Sequence, residues 1–203
     1  GGATIGDLRE RLRADPESVP AGISKQEWIE SLINSEVTES IGFDMIVMGR
    51  QEGPSCYCYI NNLLRECLFK IAEHYRAVVI DNEAGLEHLS RRTNGRVDAM
   101  LVVCQPTIIG ARTAVRVTDI IKGLELEVGA SYLVLNACAA PLDAGLKEEF
   151  AVTGLDILGT VPSDPDVLEF EKNAQSLLAM PADAAAVMAV EELLDNLLKR
   201  RQK

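Results

Sequence analysis

Cys56 and Cys58 stand one residue apart in the stretch GRQEGPSCYCYINN, residues 49–62, beside an apolar run. In an extended segment, side chains at i and i+2 point to the same side, so both sulfurs can reach one object. Three chemistries are open to such a pair: a strained disulfide, two inert buried thiols, or half of a metal site. Three further groups of residues sit where apolar runs end. Asp81 follows Ala77–Ile80, and Gly85 lies four residues on. A carboxylate here can hold magnesium through water, and a glycine amide can approach a terminal phosphate; a plain turn uses the same residues. Asn136 closes another run, with a carboxamide able either to read an adenine edge or to form an Asx turn. Pro162, Ser163 and Asp164 close a third, as a bare loop or as the wall of a base pocket.

The elements that must position these residues are short apolar runs: 43–48, 77–80, 99–104, 132–135 and 157–161. Each is continuous rather than alternating, and each is followed by polar or turn residues, which predicts buried strands. Helical stretches lie between them, at 59–75, 107–123, 143–151 and 182–200. Strands alternating with helices, apolar on both faces, predict an α/β fold with a mostly parallel sheet and helices on both faces. Ligands in such sheets lie beyond the carboxyl ends of the strands, where these candidate residues fall. The first forty residues differ. They predict two helices, Thr4 to Arg13 and Ser24 to Thr38, the second opened by a capping box of Ser24 and Glu27. The expected organisation is one α/β domain over 1–203, with a helical segment 1–40 and a sheet core 41–203 that ends in a helix. There is no internal repeat and no low-complexity segment.

Composition narrows the partners. The 203 residues are 47% hydrophobic and 25% charged, and the net charge is −11. With no basic stripe to offset it, that charge argues against nucleic acid. No apolar stretch reaches the ~18 residues of a membrane span, and no signal peptide opens the chain. A cytoplasmic location is expected, where thiols stay reduced. The five cysteines, Cys56, Cys58, Cys67, Cys104 and Cys138, are irregularly spaced and make no disulfide framework.

Two stretches, VMGRQEGPSCYCYINNLLRE and VVIDNEAGLEHLSRRT, resemble the nickel-insertion accessory ATPases of carbon monoxide dehydrogenase and their acetyl-CoA synthase counterparts. These belong to the deviant Walker group of P-loop ATPases, with the septum-positioning and plasmid-partition ATPases. The looser pattern of strand ends extends the resemblance over most of residues 40 to 200. It implies that Asp81 is the magnesium-side carboxylate of the second switch and Gly85 its phosphate-sensing glycine. Asn136 becomes the adenine-reading asparagine, and Pro162, Ser163 and Asp164 the loop over the base. Cys56 and Cys58 become the metal-binding pair. The implied cofactors are ATP or ADP with Mg²⁺ and a Ni²⁺ or Zn²⁺ ion, and the implied client is a nickel enzyme.

There are two departures. Ser55 stands where the family has glycine before the first cysteine. More important, none of the seven lysines lies in a glycine framework that could cradle phosphate. The family pattern therefore implies a missing opening βαβ portion of roughly 30–50 residues, and an ATPase that is inactive as this chain alone. One C-x-C supplies two thiolates and a structural zinc site wants four. No second such pair exists, so the economical arrangement is a homodimer with Cys56 and Cys58 of both copies around one ion. His74 reads as a surface or capping residue, and His88, just after the second switch, as either a bland residue or a charge sensor. Two other functions remain open: a non-catalytic dimeric metal-binding adaptor, and a partition or positioning ATPase. The acidic residues Glu191, Glu192 and Asp195 on the last helix argue against the membrane tail of the latter.

Overall fold

Local signals set the first two helices. In the computed structural model, Thr4 and Ser24 cap helices α1 (Ile5–Ala14) and α2 (Lys25–Ser35). Each cap is reciprocal: the Ser24 amide donates to Glu27 Oε2 at 2.8 Å, and the Glu27 amide donates to Ser24 Oγ at 3.2 Å. Thr4 and Asp7 repeat the arrangement. The structure describes residues 4–15, 19–49, 66–68, 70–82, 96–123 and 127–201. It divides into two compact units, residues 1–81 and 82–203.

In the first unit, Ile5, Leu8 and Leu12 of α1 follow helical spacing and share one buried cluster with Ile29 and Ile33 of α2 and with Cys67. Burial, with the Glu30 carboxylate as a smaller influence, pushes the Cys67 thiol up to about 11. The expected helix 59–75 is described only in part, as helical residues 66–68 and 70–72. The apolar run 43–48 departs from the expected strand. Only β2 (Asp44–Met45) forms a ladder, antiparallel to β1 (Thr38–Glu39). The carbonyls of Val47 and Met48 accept instead from the Ile5 and Gly6 amides at 2.9 Å, satisfying donors that a helix start leaves open. The run 77–80 is no strand either, and Val79 is 92% exposed. Apolar sequence marks a segment able to be a strand, but only a neighbouring backbone makes it one.

The acidic partners of the two boxes carry a pH signature. Hydrogen bonds from the Thr4 and Ser24 amides, then from their hydroxyls, hold Asp7 and Glu27 below the usual carboxylate range. A depressed folded-state pKa adds stability above the unfolded value, and that stability is lost as pH falls through the folded one. We expect α1 and α2 to fray on acidification below about pH 4. Circular dichroism across pH on wild type and Glu27→Gln checks this: the variant should start less helical and change less. Identical titration curves would remove the carboxylate from the cap.

The second unit is an α/β sandwich. Strands β3 (Arg96–Cys104), β4 (Glu127–Cys138) and β5 (Asp156–Pro162) form a parallel sheet in that order. Helices α3 (Ile108–Gly123) and α4 (Ala144–Ala151) make the crossovers. On one face, Met100, Val102, Leu133 and Leu135 pack with Ala111, Ala114 and Ile121 of α3 and with Phe150 of α4. On the other, Val134 and Leu158 meet Leu193 of the last helix, α6 (Ala185–Arg201). Gly159 permits that approach, because a Cβ there would sit 3.1 Å from Leu193 Cγ. The parallel sheet with helices on both faces is the expected fold class. Helix α5 (Pro165–Lys172) lies outside the expected helical stretches; proline at its first position is already shaped for a helix.

Candidate functional site

The carboxyl ends of β4 and β5 carry four of the expected site residues, and the structure brings them together. The pairing of β4 with β5 shifts register once between Leu133 and Val134, reaches Leu135 opposite Thr160, then breaks again and resumes at Cys138 opposite Pro162. The slack is taken up by Asn136 and Ala137. Ala137 adopts φ 56°, a left-handed conformation uncommon for a residue with a side chain. Its amide donates to Asn136 Oδ1 at 2.9 Å. The bulge turns the chain at the strand end and leaves Asn136 exposed. Across the gap, the Ser163 amide donates to the Cys138 carbonyl at 3.3 Å. Asn136 and the 162–164 loop therefore share one rim of the sheet.

Asn136 retains the capacity to read a purine. Its Oδ1 serves the Ala137 amide with one lone pair and keeps a second, and its amide nitrogen carries two donors. Adenine offers a matching donor and acceptor side by side. Beneath Asn136 lies an apolar groove of about 270 Å³ between the sheet and α6, bordered by Leu101, Val103, Val161 and Leu194. Apolar walls with one convergent amide suit a flat, weakly polar ring. The purine end of a nucleotide thus fits the residues present.

At the end of β3, Thr107 caps α3: the Gly110 amide donates to Thr107 Oγ1 at 3.0 Å. A Cβ on Gly110 would collide with the Gln105 carbonyl, so the turn closes tightly only with glycine. Asp164 has both carboxylate oxygens engaged. Oδ1 accepts from the Asp166 amide at 3.0 Å, and Oδ2 from the Ala186 amide at 2.9 Å. Sequence reading missed this second bond, which spans 22 residues; the visible signal was Asp-Pro before a helix.

Asp81 is exposed and ends the first unit. Gly85, Cys56, Cys58 and His88 lie outside the described residues. His74 follows the helical residues 70–72, its amide donating to the Ile71 carbonyl at 3.1 Å. Among the described residues, no group of three His, Cys, Asp or Glu side chains could hold a metal ion. Nor is any described helix long and apolar enough to cross a membrane.

Comparison with known proteins follows the same lines. The chain is 34% identical over 200 residues to the uncharacterized ATP-binding protein MJ0685 of Methanocaldococcus jannaschii, covering 98% of this chain and 79% of that protein. It is 33% identical over 131 residues to the carbon monoxide dehydrogenase accessory protein CooC of Rhodospirillum rubrum, covering 61% of this chain and 47% of CooC. Among solved structures, the septum site-determining protein MinD of Pyrococcus horikoshii, complexed with Mg-ADP, superposes with a TM-score of 0.61. That match has 17% identity and covers 98% of this chain and 81% of MinD. No protein-family model matches the chain.

Proposed function

Because the chain belongs to the P-loop ATPase family of MJ0685 and its relatives, we propose that it is a metallochaperone ATPase subunit that matures a nickel enzyme. The observation that carries the nucleotide half is the shared rim of Asn136, Pro162 and Ser163 at the ends of adjacent strands. In this reading Asn136 holds the adenine edge and the 162–164 loop covers the ring. Asp81 holds magnesium through water, and Gly85 lies against the terminal phosphate. Bound ATP supplies the free energy of phosphoanhydride hydrolysis, and its presence favours a closed dimer. Cys56 and Cys58 of two copies hold the Ni²⁺ or Zn²⁺ cargo, four soft thiolates around one ion. Support for nickel comes from the partial identity with CooC and from the C-x-C pair itself.

With no glycine–lysine loop in the 203 residues, Mg-ADP binding should be weak and ATP turnover negligible. Asn136→Ala should weaken Mg-ADP binding about tenfold, since a bidentate amide on adenine is worth about 1–3 kcal/mol. Binding of Mg-GDP should change little. Calorimetric titration of both proteins with both nucleotides is the check. Equal ADP affinity in wild type and variant would take adenine recognition away from Asn136.

A further inference from the structure

Helix α6 lacks its own cap. Its first intrahelical bond, from the Met188 amide to the Ala184 carbonyl at 3.0 Å, puts Ala184 at the cap position. Serine, threonine, asparagine or aspartate usually stands there, because a side-chain oxygen can accept an amide of the first turn. Ala184 has none, and it is buried at 6% exposure. The acceptor is Asp164 Oδ2, on the Ala186 amide, while Asp164 Oδ1 caps α5 through the Asp166 amide. One carboxylate thus closes the positive ends of two helices. The residue before it, Ser163, is bonded through its amide to the Cys138 carbonyl. A continuous path of hydrogen bonds and covalent chain therefore runs from the end of β4, through the 162–164 loop, into the last helix.

We propose that Asp164 is a positioning residue. It clasps α6 to the loop after β5 and so holds Pro162 and Ser163 beside Asn136, in the arrangement that a purine requires. This role rests on the adenine reading of Asn136 and makes that of Asp164 indirect. Its two oxygens are spent on helix amides, and a carboxylate turned toward phosphate would repel it. The loop is then as rigid as the packing of α6 on the sheet, where Leu193 is buried and Arg200 lies over the Tyr132 ring at 5.2 Å.

The test separates clasping from simple stabilisation. Asp164→Ala removes both caps. Adding Ala184→Ser gives α6 a cap of its own without restoring the link to the loop. We expect Asp164→Ala to lower the thermal midpoint, weaken Mg-ADP binding about fivefold to tenfold, and speed hydrogen exchange at the Ser163 amide. The double variant should regain most of the midpoint and neither the affinity nor the slow exchange. Affinity that returns together with the midpoint would make Asp164 a stabilising residue only. Unchanged Ser163 exchange in Asp164→Ala would reject the clasp outright. If the wild-type chain binds no Mg-ADP, the adenine reading fails. Exchange at Ser163, measured without nucleotide, then decides the clasp alone. Should Asp164→Ala not fold, Asp164→Asn carries the same comparisons, because its single carboxamide oxygen turns an NH₂ toward one of the two amides.

Discussion

Replacing Cys56 and Cys58 together by serine should abolish metal binding and metal-dependent dimerisation. The wild-type protein, purified and loaded, should hold about one Zn²⁺ or Ni²⁺ per two chains. Serine keeps the size of each side chain and removes the soft thiolate, so each copy loses both its ligands at once. Nothing described elsewhere in the chain stands ready to replace them. Among the described residues, no cluster offers three candidate ligands. Cys67 is fully buried, its thiol pushed up to about 11, and burial raises Cys104 as well. At neutral pH both stay protonated, whereas a metal ligand must be the thiolate. Elemental analysis gives the stoichiometry, and analytical ultracentrifugation with and without metal gives the association. Metal content in the double variant equal to wild type would end the C-x-C assignment.

The largest expected loss of stability comes from Phe150→Ala. Phe150 is 1% exposed and joins α4 to the cluster formed by Leu133, Leu135, Met100 and Ile121. Removing a buried phenyl ring forfeits its transfer free energy and leaves a cavity that the sheet and two crossover helices can only partly close. The expected cost is about 3–5 kcal/mol, a fall in melting temperature of roughly 10 °C or more. Urea unfolding followed by circular dichroism measures it. Leu178 provides the contrast: it is also a large apolar residue, but 77% exposed. Leu178→Ser should stay within about 0.5 kcal/mol of wild type. A cost below about 1 kcal/mol for Phe150→Ala would mean that this face of the sheet is not packed as described.

Local patterns were legible in the chain itself. The Ser24–Glu27 box spans three residues and needs nothing beyond its own turn, so α2 starts where sequence reading put it. The runs 99–104, 132–135 and 157–161 are strands, each apolar and continuous and each followed by a helix. Those three strands with α3 and α4 make the parallel sheet, and they place Asn136 and Pro162 at neighbouring carboxyl ends. Alternation places the polar residues at strand ends, and the order of the strands in the sheet makes the ends that carry Asn136 and Pro162 neighbours.

Non-local partners decided the rest. The runs 43–48 and 77–80 have the same apolar composition as the true strands. One instead feeds its carbonyls to the start of α1, and the other leaves Val79 exposed. Composition reports which backbone can be buried; which other backbone lies within 5 Å depends on the path of the whole chain. The left-handed turn at Ala137 follows from the broken register of β4 against β5, a property of two strands at once. Asp164 shows the same division within one side chain. The Asp-Pro pair announces a cap on the helix that follows it. The bond to Ala186 exists only because the fold carries the start of α6 back to the loop, where a buried alanine leaves an amide in need of an acceptor.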